Sequence, residues 1–394
     1  MYGLYLHIPF CQKICYYCDF FVDKNLDLVQ AYVNALCQEI EREMFENNSK
    51  PKLSTIYIGG GTPSLLSPNQ MEQIVNVLVN NFDLSELEEF SMESNPGSVS
   101  LDTLKEYKSL GIDRLSIGVQ SFIKRELGFL KRNHSPKKAI KAIEDAHKAG
   151  FNNINLDLIF AVPGQTNESW QYSLQTAFNL GTTHLSTYSL IYEEGTPLYQ
   201  AWKNGKVAKT SDDDDADIYE LTINEASKFG FKQYEVSNFA KNELYCKHNL
   251  GSWQGSEYFA FGASAHGHLD NKRFWRVKNL SEFISFNNKN KTTIVGEEII
   301  SLKAKVEESV FLALRSTGID ILKLNTKFNL DLAKVFEKEI EYYIKNDCVI
   351  LENNLIKLTS KGYAICDSIT LSFVSKIENY LEKNLKSLNL HNIN

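Results

Sequence analysis

Residues 7–21 read HIPFCQKICYYCDFF, which places Cys11, Cys15 and Cys18 in a Cys-x3-Cys-x2-Cys run directly behind a strand-like segment, residues 3–8. Thiolates are soft ligands suited to iron–sulfur clusters, and a four-iron cluster normally takes four of them. Three thiolates in one loop leave one iron without a protein ligand, open to chemistry. Structural zinc sites more often draw on two Cys-x2-Cys pairs, and the chain has no second pair.

Downstream of this loop the first half alternates strand-like and helical stretches. Strand patterns fall at residues 3–8, 55–58, 89–93, 114–119, 154–160 and 184–191. Between them, residues 27–45 put Val29, Val33, Leu36, Ile40 and Met44 on one helical face. Ser67-Pro68 and Ser135-Pro136 read as an N-cap followed by proline at the first helical position. Gly111, Gly150 and Gly181 each stand where a left-handed helix stop is expected. Six β/α units in succession predict an α/β fold with a parallel sheet and outer helices. In barrel-like folds of this kind chemistry gathers at the C-terminal strand ends. The distinctive motifs lie there: the cysteine loop, residues 59–63, residues 93–96, Gln120 and residues 162–165.

Past Tyr192 the rhythm changes. Ser211 opens a helix whose first turn holds Asp212, Asp213, Asp214 and Asp215, which complement the helix dipole and lack the spacing of a calcium loop. Residues 348–358 read as a hairpin turning at Asn353-Asn354. The expected organisation is a large domain over 1–230, a connecting segment over 231–296, and a small C-terminal α+β domain over 297–394 with a winged-helix-like pattern.

The 394 residues carry 43% hydrophobic and 23% charged side chains, an ordinary soluble composition, with a net charge of −7. That balance argues against a nucleic-acid partner. No apolar run approaches a membrane span, and the first residues lack the pattern of a secretory signal. Seven cysteines with three clustered fit a reducing cytoplasm better than a disulfide framework. Cys37, Cys348 and Cys366 sit in core-like patterns, whereas Cys246 lies two residues before His248.

The cysteine spacing resembles that of the radical S-adenosylmethionine (SAM) superfamily. The rest of the chain is similar to its coproporphyrinogen III oxidase-like group, which includes the HemW-type haem chaperones. The carrying residues are Tyr5 with HIPFC, GGGTPS at 59–64, MESNP at 92–96, SIGVQSF at 116–122, LKRNH at 130–134, NLDLIFAVPGQT at 155–166 and HNLGSW at 248–253. The resemblance implies a (β/α)6 partial TIM barrel followed by a small C-terminal domain. It implies a [4Fe–4S] cluster on Cys11, Cys15 and Cys18, with SAM on the open iron as source of a 5′-deoxyadenosyl radical. It assigns the SAM amino group to Gly60, Gly61 and Thr62, ribose hydroxyls to Glu93 and Asp157, and polar groups of SAM to Gln120 and Arg132. Tyr5, Tyr17 and Ile191 would frame the cofactor, and an electron donor such as flavodoxin or ferredoxin would reduce the cluster.

Two departures separate branches of the group. The oxidases carry a further cysteine two residues after the third, where this chain has Phe20, and a long N-terminal extension, where it has four residues before Tyr5. Both favour a haem chaperone, delivering haem to acceptor proteins, over an oxygen-independent coproporphyrinogen III oxidase. The chaperones carry His-Asn-x-x-Tyr-Trp, associated with haem. Here His248 opens HNLGSW, with Ser252 in place of the tyrosine, and His266 and His268 lie nearby.

Overall fold

A computed structural model describes residues 1–45 and 50–384. Six strands, β1 (Tyr2–Ile8), β2 (Leu53–Gly60), β3 (Glu89–Ser94), β4 (Arg114–Gln120), β5 (Asn153–Phe160) and β6 (His184–Ser189), lie side by side in chain order. All five neighbouring pairs are parallel. Each of the five intervals between them holds helix: α1 (Val29–Phe45), α2 (Pro68–Asn81), α3 (Leu101–Ser109), α4 (Lys124–Phe129) with α5 (Pro136–Lys148), and α6 (Asn167–Asn179). The sheet continues beyond β1 through strands Tyr258–Phe261, His266–Leu269, Lys272–Arg276 and Ile294–Ile299. This is the open α/β barrel expected of the radical SAM fold.

Local chemistry sets these elements. In α2 the Ser67 hydroxyl accepts from Gln70 N at 3.3 Å while Gln70 Oε1 accepts from Ser67 N at 2.8 Å, a reciprocal cap with Pro68 at the first helical position. Ser135 accepts from Lys138 N ahead of Pro136 at the start of α5, and Thr166 forms a reciprocal cap with Ser169 on α6. Along α1, Val29, Val33, Leu36, Ile40 and Met44 are buried, as their helical spacing predicts. β6 stops at Ser189, two residues before its expected end, and leaves Ile191 62% exposed at the rim.

By compactness the chain forms two units. The first holds Met1–Lys232, Phe239–His248 and Glu257–Glu298; the second holds Gln233–Asn238, Asn249–Ser256 and the chain from Ile299 on. Most of segment 231–296 therefore adds strands to the large sheet. In the second unit, helices Leu302–Leu314, Ile321–Phe328 and Cys366–Asn384 pack with an antiparallel sheet built on the hairpin Val349–Glu352 and Leu355–Leu358. Its turn uses Asn353 and Asn354 at φ 50° and 65°, the left-handed pair that matches strand twist. Val310, Leu314, Ile319, Phe336, Ile356, Ile369 and Phe373 form its core.

Candidate functional site

The interior of the first unit is polar to an unusual depth. Inward positions carry Thr55 and Tyr57 on β2, Glu89, Ser91 and Glu93 on β3, Arg114 and Ser116 on β4, Asn155 and Asp157 on β5, and His184 and Ser186 on β6. Polar groups taken from water need partners, and here they find one another. Asn155 Nδ2 donates to Ser116 Oγ at 2.7 Å and to Asp157 Oδ1 at 2.8 Å, while its Oδ1 faces His184 Nδ1 at 2.6 Å. Ser116 Oγ donates to Asp157 Oδ2 at 3.0 Å. Glu93 accepts from Tyr57 Oη at 2.9 Å and from Gly60 N at 3.1 Å.

Above this floor, at the C-terminal strand ends, opens a cavity of about 450 Å3. Cys11, Cys15, Cys18, Tyr17, Gly60, Gly61, Glu93, Gln120, Arg132, Asp157 and Ile191 all line it, as does Phe20, 72% exposed at the mouth. Thr62 stands beside it, its hydroxyl 3.4 Å from Cys11 Sγ. Tyr5 lies deeper, stacked on Tyr57 with ring centroids 6.3 Å apart and its hydroxyl 3.0 Å from His7 Nδ1.

The electrostatics follow from that placement. Glu93 and Asp157 open to the cavity and are otherwise surrounded by protein. Desolvation, then the Asp157 charge, pushes the Glu93 carboxyl up to about 7. Desolvation likewise raises Asp157, opposed by bonds from Ser116, Asn155 and Ser186. Burial raises the Cys11 thiol and pushes the Cys18 thiol up to about 11. Arg132 supplies the compensating cation: its Nη1 donates to Cys15 Sγ at 3.2 Å and its Nη2 to Gly118 O at 2.6 Å and to Asn95. Its Nε is buried without a partner.

These residues fit a soft-metal cluster and a zwitterionic ligand. Three thiols line one wall, and two carboxylates stand where hydroxyl donors would be welcome. A guanidinium retains an unused buried donor. At Gly61 a Cβ would stand 2.7 Å from Phe10 O, so only glycine lets this loop lie against the cysteine segment. Among the described residues no three His, Cys, Asp or Glu side chains converge on a single-ion site. Cluster thiolates bind separate irons and need no such convergence.

The structure moves His248 away from these groups. The candidate haem ligand is buried in helix Lys247–Trp253. The Nδ1 atom lies 3.0 Å from Thr55 Oγ1, the ring stacks on Tyr57 at 5.2 Å, and the backbone N donates to Glu89 Oε1 at 3.3 Å. Desolvation pulls the imidazole down to about 4. Cys246 is buried beside it, its thiol 3.6 Å from the same Glu89 oxygen. Tyr57, Ser116, Asn155 and Arg114 escaped the sequence reading, although their alternation with apolar neighbours inside strands was a usable signal.

Residues 5–177 match the model of the Radical SAM superfamily and residues 300–365 that of the HemN C-terminal domain. The chain is 35% identical to the heme chaperone HemW of Lactococcus lactis, over 94% of this chain and 96% of that one. It is 34% identical to HemW of Bacillus subtilis, over 96% and 100%. Coproporphyrinogen III oxidase (HemN) from Escherichia coli, a radical SAM enzyme, shares the fold with a TM-score of 0.81 at 23% identity, over 94% of this chain and 89% of that one.

Proposed function

The chain belongs to the radical SAM superfamily, in its branch of HemW-type haem chaperones, and from that membership we propose that it binds a [4Fe–4S] cluster, SAM and haem and passes the haem to acceptor proteins. The observation that carries the reading is the one cavity that Cys11, Cys15, Cys18, Gly60, Gly61, Glu93, Arg132 and Asp157 line together.

The three cysteines would hold three irons, and an electron donor such as flavodoxin or ferredoxin would reduce the cluster. When bound, cluster and SAM supply one-electron chemistry that no side chain provides. The residues of the chain do the rest. Glu93 and Asp157 would accept from ribose hydroxyls, held in place by Tyr57, Ser116 and Asn155. Arg132 would meet the carboxylate of SAM, and Gly60, Gly61 and Thr62 would receive its amino end. Gln120 would add a polar contact, with Tyr5, Tyr17 and Ile191 around the adenosyl group.

Phe20 favours haem carriage over oxidation of coproporphyrinogen. A benzyl group at the cavity mouth adds apolar surface but neither a thiol nor a proton donor. The resemblance also gives His248 a haem role. Ligation of iron by that ring would require it to leave Thr55 and Tyr57, so the proposal here assigns it to packing beneath the site.

The test is to reconstitute the protein anaerobically and measure haem stoichiometry beside product formation from coproporphyrinogen III with SAM and reductant. About one haem per chain and no protoporphyrinogen IX is the expected result. Catalytic formation of protoporphyrinogen IX would replace this reading with the oxidase.

A further inference from the structure

Acids outnumber bases in this chain by 49 to 42, yet the stretch 124–141 carries Lys124, Arg125, Lys131, Arg132, Lys137, Lys138 and Lys141. Its one acid, Glu126, is buried and bonded to Ser121, Gln165 and Ser169. Lys141 pairs with Asp145, and Arg132 is committed to Cys15, Gly118 and Asn95. Lys131, Lys137 and Lys138 are exposed, as is Lys13 in the cysteine loop, and among the described residues none of these four forms an ion pair. Lys137 and Lys138 occupy the first turn of α5, which holds no acid, so both charges oppose the helix dipole. Other first turns answer the dipole, with Asp102 in α3, Glu168 in α6 and Asp212 to Asp215 in the helix capped by Ser211. Cations placed against the dipole cost local stability and strengthen the positive potential there.

This positive surface meets the cysteine loop. Lys13 and Lys131 line a notch with about 10 Å3 of room, together with Gln12, Cys15, Arg132 and Asn133. Asn133 Nδ2 donates to Gln12 Oε1 at 3.2 Å, and Tyr16 N donates to Leu130 O at 3.2 Å. Lys131 Nζ lies 4.0 Å from the centre of the Tyr16 ring, and a lysine over a ring face keeps N–H donors for a partner. The charge of Lys138 reaches the neighbouring His134 ring and opposes its protonation. A notch that holds about one water admits no organic ligand, so whatever uses it does so by surface contact. Cys15 lines both this notch and the main cavity, so one sulfur stands between the basic surface and the interior site.

We propose that Lys13, Lys131, Lys137 and Lys138 form the docking face for an acidic one-electron carrier protein, which reduces the cluster through Cys15. Unpaired cations select an acidic partner, and their place around a cluster sulfur selects one that carries an electron. One electron would leave the carrier's reduced flavin or iron–sulfur centre and enter the cluster, with no bond broken and no proton moved. A small polar face suits the brief encounters of electron carriers, which must leave after each transfer. The docking face rests on the cluster reading above and gives that cluster's electron donor a place on the protein.

The experiment titrates the reconstituted full chain with oxidised flavodoxin by calorimetry at low and high salt, then follows cluster reduction by flavodoxin hydroquinone beside reduction by dithionite. Wild type should bind, with affinity falling about tenfold or more as salt rises. Lys13→Glu with Lys131→Glu should weaken binding and slow reduction by flavodoxin about tenfold or more, while iron content and dithionite reduction stay those of wild type. Lys137→Glu with Lys138→Glu, outside the cysteine loop, should weaken binding severalfold. Lys232→Glu, on the far edge strand beyond β6, makes a like charge change elsewhere and should behave as wild type. Wild-type affinity in both double variants would overturn the docking face, as would a wild-type cluster that dithionite reduces but flavodoxin neither binds nor reduces. Tighter binding of a single-stranded RNA oligonucleotide, lost in the same variants, would make the surface a nucleic-acid face instead. Failure of wild type to assemble a cluster would remove the cluster reading itself.

Discussion

Arg132 and Cys15 are 117 residues apart in sequence, yet the guanidinium Nη1 donates to the Cys15 sulfur at 3.2 Å. The same group reaches Gly118 O and Asn95, so it ties the cysteine loop to the ends of β3 and β4. A cation at a cluster thiolate favours the reduced, more negative state. Arg132→Met should lower the midpoint potential of the reconstituted cluster by about 50 mV, the one-electron equivalent of roughly 1 kcal/mol. A redox titration monitored by paramagnetic resonance checks this, and an unchanged potential would confine Arg132 to ligand binding or packing.

Glu93 and Asp157 make a second case. Asp157→Asn and Glu93→Gln keep the volume of each side chain and remove its charge and one acceptor. Each should weaken SAM binding by roughly 1–3 kcal/mol, about 5- to 150-fold in Kd. Calorimetry on anaerobic protein measures it, and wild-type affinity in both variants would move the ribose contacts elsewhere.

The pH dependence of the ligand-free fold carries a defined sign. Glu93 keeps its proton in the folded state up to about 7, above the ordinary 4.5 of an unfolded glutamate. Between those values the folded chain binds a proton that the unfolded chain releases. Its contribution to stability is full below pH 4.5 and is lost as pH rises through 7. Urea midpoints of wild type should therefore fall relative to Glu93→Gln between pH 5 and pH 8. Parallel midpoints across that window would show that Glu93 ionises normally.

How much of this was legible in the sequence depends on the residue. The cysteine loop, the glycine loop and the strand-end motifs could be read because their chemistry is local: spacing, turn residues and caps act within a few positions. The floor could not be read so directly. Asn155 acquires meaning only when register sets it beside Ser116 and His184, and Thr55 only when His248 arrives from 193 positions away. His248 shows the converse. Its motif was visible, but burial is a property of packing, and Tyr57 and Thr55 cover the ring.

The same long-range logic built the strands beyond β1. Arg276, 1% exposed, pairs with Glu39 at 3.0 Å and Glu43 at 2.7 Å, and donates to Thr293 and Ala260 O. Removing one partner of a buried pair leaves an uncompensated charge. Arg276→Met should destabilise the protein by about 3–5 kcal/mol. A thermal midpoint within a degree of wild type would mean that Glu39 is neutral and the pair contributes little.

Three cysteines and the cavity around them would present an open iron to the amino and carboxylate groups of SAM. The most direct measurement is the low-temperature paramagnetic resonance spectrum of the reduced, reconstituted protein with and without saturating SAM. A changed signal, lost from protein lacking Cys11, Cys15 or Cys18, is the expected result. Superimposable spectra with and without SAM would contradict it, leaving a cluster that only transfers electrons or supports the loop.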